Sequence, residues 1–157
     1  MKHPIVQLIL AMSASILLCV LTFSFFDSLV DILLPKVDGG HYSVTHIAGP
    51  SHIALSFSIV LGLFPISIFL VWKFAPIISS GRRLISIGIV ILAMAITVVC
   101  RREMIKGFFS NKPDAPTIND IRLYYPVEQT HYEYYLMAGL CAGLGICFFA
   151  LRPRGIV

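Results

Sequence analysis

Four stretches of this chain, Ile5–Phe26, Ile53–Trp72, Leu84–Cys100 and Tyr134–Leu151, contain no Asp, Glu, Lys or Arg. Each is close to the roughly 20 apolar residues that a helix needs to cross about 30 Å of hydrocarbon at about 1.5 Å per residue. Inside a bilayer a helix satisfies its own backbone hydrogen bonds, so four such stretches predict four transmembrane helices. The expected fold is all-α: an integral membrane four-helix bundle, a single domain over residues 1–157, with short interfacial helices in the two outer loops. Composition agrees. Hydrophobic residues make up 57% and charged residues 13%, against about one quarter charged in soluble domains.

The same lack of charge narrows the function. Pumps, proton relays and voltage sensors place ionisable side chains within the membrane, and these spans offer only Gln7, Thr22, Thr97 and scattered serines. The chain has no Gly-x-Ser-x-Gly elbow, Walker loop, His-Glu-x-x-His or intramembrane Asp pair, so an enzyme is not expected. The net charge of +4 comes from basic residues flanking the spans, without a Lys/Arg run. That is a membrane pattern, and no nucleic-acid partner is expected. Cys19, Cys100, Cys141 and Cys147 form no Cys-x-x-Cys pair and read as small apolar residues rather than a redox centre.

The first segment reads as a retained span. Its apolar run is longer than a signal core, and it ends in the bulky Thr22-Phe-Ser-Phe-Phe26. An even number of spans puts both termini on one side. That side carries Lys2, Lys73, Arg82, Arg83, Arg152 and Arg154. The other carries all eight acids together with Lys36, Arg101, Arg102, Lys106, Lys112 and Arg122. Lys and Arg therefore divide evenly. The densely basic short loop and Lys2 before the first span favour cytoplasmic termini in a bacterial inner membrane, whereas Arg101 and Arg102 point the other way.

Helix boundaries and seams are also marked. Gly49-Pro50-Ser51 precedes the second span, with Ser51 as a cap, and Pro65 inside it predicts a kink. Thr130-His-Tyr-Glu133 has the capping-box spacing before the fourth span, and Pro126 marks an earlier start. Within that span Gly139 and Gly143 form a Gly-x-x-x-Gly pair, extended by Ala138, Ala142, Cys141 and Gly145. Small residues let helix backbones approach closely in lipid. Ala11 and Ser15 offer a second small face, and Ser58 and Gly62 a third. These faces serve either the four helices of one monomer or contacts with another chain. The outer segment Asp27–Lys36 has the pattern of a short amphipathic helix, and residues 101–109 extend the third span.

One group of residues has ligand chemistry. His41, His46, His52 and His131, with Glu133, fall on the outer side at the entries to spans two and four. If those spans are neighbours, the group meets at one surface. Imidazole and carboxylate suit a transition metal, and a histidine pair suits haem. The leading expectation is different: a protein with no cofactor, working by contact in the lipid bilayer. It would be an accessory or assembly subunit bound to other membrane protein subunits, or an immunity-type protein that blocks a membrane-acting toxin. The alternative is a binding module with that metal or haem site on the extracytoplasmic face.

Overall fold

The computed structural model describes residues 4–33, 52–74, 79–110 and 130–151. Among these it contains five helices: α1 (Pro4–Ser24), α2 (Phe26–Leu33), α3 (His52–Phe74), α4 (Ser80–Ser110) and α5 (Tyr132–Ala150). Four of them, α1, α3, α4 and α5, are long and apolar enough to cross a membrane. The protein is thus a small polytopic membrane protein with an all-α, four-helix arrangement. The Ser51 cap, Pro126, His41 and His46 lie outside the described residues.

The helices pair as two antiparallel hairpins, α1 with α3 and α4 with α5, joined through α3 and α5. Each seam is set by glycine. A Cβ on Gly62 of α3 would lie 2.9 Å from Cys19 Cβ and 3.1 Å from the Ser15 carbonyl oxygen. The Ser58/Gly62 face therefore meets the Ala11/Ser15 face, with Ser15 buried and Ala11 half-buried. On α5, a Cβ at Gly139 would lie 2.6 Å from Met94 Cα, and one at Gly143 would lie 2.7 Å from Val90 Cα. Between the seams the core gathers Phe57, Val60, Val90, Met94, Leu136 and Leu140. Lipid gives apolar side chains no reason to leave it, so dispersion at such close approaches does the work of association. The fourth span has a mean hydropathy of 1.5 against 2.4 to 2.5 for the others, because glycine, alanine and tyrosine occupy positions that leucine and isoleucine fill elsewhere.

α1 and α4 stand on either side of apolar crevices floored by α3. One, of about 400 Å³, runs between Leu18, Phe64 and Val98. Another, of about 370 Å³, runs between Gln7, Phe64, Trp72 and Ile87. The end of the bundle below the second crevice is basic. Among the described residues it carries Lys73, Arg82 and Arg83 and no acid. There Trp72 Nε1 donates to Ser86 Oγ at 2.8 Å, and Ser86 Oγ donates to the Arg83 carbonyl at 2.7 Å. The Arg83 guanidinium lies 5.4 Å from the centre of the Trp72 ring, and Cys147 Sγ donates to the Ser86 carbonyl at 3.4 Å. This knot ties α3, α4 and α5. Ser86→Ala removes the indole's acceptor and is expected to weaken the fold by about 1 kcal/mol. Trp72 is the sole tryptophan, so the emission spectrum reports the change, and an unaltered spectrum in mild detergent would rule the bond out.

At the opposite end α2 follows α1 after Phe25, and hydrogen bonds from Phe25 N to Leu21 O and from Leu29 N to Phe25 O carry the chain across the junction. α2 is amphipathic as its sequence predicts. Phe26 and Val30 are buried while Asp27 and Asp31 face outward, and the Phe26 ring meets the Phe57 ring edge-on at 5.6 Å. Residues 101–109 extend the third span as their sequence suggests: α4 runs on without a break to Ser110. Its 31 residues span about 46 Å, beyond the roughly 30 Å of hydrocarbon. The charged turn at Arg101, Arg102, Glu103 and Lys106 therefore stands outside the apolar layer.

Candidate functional site

The chemistry-bearing residues of the described chain concentrate where α3 and α5 begin. The start of α5 is not the capping box that its sequence suggests. His131, not Thr130, holds the N-cap position, and its side chain makes no capping hydrogen bond. It adopts the left-handed conformation, φ 50° and ψ 29°, the one such non-glycine among the described residues. Histidine tolerates this region better than most side chains, yet the conformation costs about 1–2 kcal/mol and persists only where neighbours hold it. Three contacts do so. Arg101 Nε donates to the Thr130 carbonyl at 2.8 Å. Tyr132, fully buried, donates its hydroxyl to the Leu33 carbonyl at 2.8 Å. Tyr134 N donates to the His131 carbonyl at 3.1 Å. Arg101 also lies over the Tyr135 ring at 5.4 Å. α2 and the extension of α4 thus fix the turn from both sides.

The turn places Glu133 at the second helical position, one earlier than a capping box requires, and buries it. Its side chain is 9% exposed, with Oε1 3.7 Å from His131 Nδ1. Oε2 is buried and has no hydrogen-bond partner. The first turn of a helix favours a carboxylate by about 0.3–1 kcal/mol, and by about 2 at most. His131 faces Oε1 only, so Oε2 is left without a partner among the described residues.

Glu133 lines a cavity of about 550 Å³ together with His52, Ile53, Ser56, Val60, His131, Tyr134 and Met137. His52, Ser56 and Val60 follow one another at four-residue intervals down α3, and Glu133 and Met137 do the same on α5. The polar groups therefore sit in the opening turns of both helices, beside Ile53, and Val60 and Met137 lie below them. The His131 and Tyr134 rings stand 5.6 Å apart at the mouth. Ser56 Oγ donates to the His52 carbonyl at 2.8 Å, which leaves its lone pairs available.

Of the predicted ligand group, the structure brings His52, His131 and Glu133 to this one cavity. Among the described residues, no three His, Cys, Asp or Glu side chains gather closely enough to hold a metal ion. Ser56 and Tyr134 were not singled out by sequence. The four-residue spacing from His52 to Ser56 was the available signal.

The predicted packing residues fall into two sets. Gly139 and Gly143 press on α4, against Ala93, Met94, Thr97 and Val90. Ala138, Cys141 and Ala142 are exposed on the other side of α5, and a Cβ at Gly145 would meet nothing within 4 Å. Exposed Tyr134 and Phe149 bound this second small face at its two ends. Cys19, Cys100, Cys141 and Cys147 are all free. Compared with known protein families, with curated proteins and with solved structures, the chain shows no significant match.

Proposed function

We propose that this protein is a non-enzymatic accessory or assembly subunit that seats a helix of another membrane protein against α5. The observation that carries the reading is the second small face of that helix. Most exposed positions on α1 and α4 hold large side chains such as Ile5, Ile9, Leu17, Leu84, Leu92 and Ile96, the usual covering for a surface that meets acyl chains, with Ser13, Ala14, Gly88 and Ala95 interspersed among them. On α5 the exposed middle is Ala138, Cys141 and Ala142, continued by half-buried Gly145 and flanked by Met137 and Ile146. Small side chains give lipid little to pack on and give a crossing helix a close approach. The bulky ends at Tyr134 and Phe149 make the face a shallow notch.

Cys141 lies in the notch and allows a direct test. A chain carrying Cys19→Ser, Cys100→Ser and Cys147→Ser keeps it as the one thiol. In native membranes a short, lipid-soluble bis-maleimide is expected to link it to a different membrane protein, and Ala142→Leu is expected to reduce that adduct about tenfold. A product at twice 17.4 kDa would assign the notch to a second copy of this chain. Monomer alone, unaffected by Ala142→Leu, would mean that lipid covers the face. Either result overturns the subunit reading.

A further inference from the structure

We infer that the cavity between the starts of α3 and α5 binds an amphiphile with a primary ammonium head, with Glu133 as the counter-charge and the apolar body lying along Ile53, Val60 and Met137. The inference is independent of the contact role proposed for α5.

Three observations lead to it. First, the cavity holds a carboxylate with one buried, unpartnered oxygen, and among the described residues neither Lys nor Arg lines it. A ligand that supplies positive charge and N–H donors completes it. Second, the remaining polar groups are acceptors of the right kind. A primary ammonium has three N–H donors and no acceptor. Glu133, the lone pairs of Ser56 Oγ and an imidazole nitrogen of His131 or His52 can receive them, and the Tyr134 ring at the mouth offers a π face to a cation. A divalent metal needs more protein ligands than the described residues gather. Third, the cavity has a polarity gradient. Its ionisable groups lie in the first helical turns, and Val60 lies two turns below His52, about 12 Å along the axis. An amphiphile standing in the bilayer has the same gradient, with its head at the rim and its chain below.

Two sources supply this chemistry: an ethanolamine-headed membrane lipid, or a free long-chain amine that partitions into the membrane. The test uses the full chain in mild detergent. It is titrated with a phosphatidylethanolamine, with the phosphatidylglycerol and phosphatidylcholine of identical chains, with decylamine, and with Zn²⁺ alone. Retention is read by native mass spectrometry.

At least tenfold stronger retention of the ethanolamine lipid over both other lipids assigns the cavity to a lipid headgroup. Tight decylamine binding without lipid preference assigns it to a free amine. In either case Glu133→Gln, which keeps shape and removes charge, is expected to abolish the preference for an amine. Met137→Trp, which fills the cavity and leaves the carboxylate in place, is expected to weaken binding by a similar factor. It also guards against a Glu133→Gln chain that misfolds. Equal retention of all three lipids with no decylamine binding overturns the inference. So does an amine preference unchanged by both substitutions, and so does one tightly held Zn²⁺ per chain that excludes the amine.

Discussion

Gly139→Leu is expected to force α5 off α4 and to lower stability by about 3 kcal/mol or more, at the upper end for an overpacked core. A Cβ alone would sit 2.5 Å from Thr97 Oγ1, 2.6 Å from Met94 Cα and 2.9 Å from the Ala93 carbonyl oxygen. The threonine hydroxyl can turn away. The two backbone atoms cannot, so the helices must separate and forfeit their dispersion contacts along the seam. Gly143 rests on Val90 Cα in the same manner, and leucine there should act similarly. Gly145→Leu is the internal comparison. It meets open space and should change the stability of the isolated chain by no more than about 0.5 kcal/mol. Unfolding in mixed detergent micelles, followed by Trp72 emission, measures all three. Equal effects at positions 139 and 145 would show that the assignment of the two faces of α5 is wrong.

The second large effect concerns Tyr132. Its side chain is 2% exposed, and its hydroxyl reaches the last residue of α2. Tyr132→Ala removes a buried ring beneath the turn at His131 and should cost about 3–5 kcal/mol. Tyr132→Phe keeps the ring and loses only the bond to Leu33, at about 1 kcal/mol. The two variants should also differ in reach. Phenylalanine should loosen α2 alone, seen as faster amide exchange over Phe26–Leu33, because local opening follows the contacts that hold a segment. Alanine should in addition expose the first turn of α5. If α2 exchanges at the same rate in the wild type and in both variants, Tyr132 does not hold it.

Much of this architecture could be read from the chain. Stretches without charge announced the spans, and Asp27 and Asp31 set among Leu29, Val30, Leu33 and Leu34 announced the short helix that follows the first of them. What the sequence left open was which side of each span is used. A helix that is apolar on every face carries no periodic mark of its buried stripe. Ala138, Gly139, Ala142 and Gly143 look equivalent on paper, and only the position of α4 separates Gly139 and Gly143 from the others.

The start of α5 departs from its local sequence signal for a related reason. Thr130 and Glu133 have the spacing of a capping box, but Arg101 and Tyr132 hold the backbone one residue out of register, and both act through contacts distant in sequence. The meeting of His52 with His131 and Glu133 depended on α3 and α5 being neighbours, which spacing along the chain does not reveal.

The bond between Tyr132 and Leu33 joins residues 99 positions apart, and this has a consequence for biogenesis. A nascent chain delivers its first hairpin to the membrane well before Tyr132 is translated. Until the last segment leaves the ribosome, α2 has Phe57 to lean on but no hydroxyl to hold its final carbonyl. The last turn of α2 is therefore completed only once the start of α5 is in place.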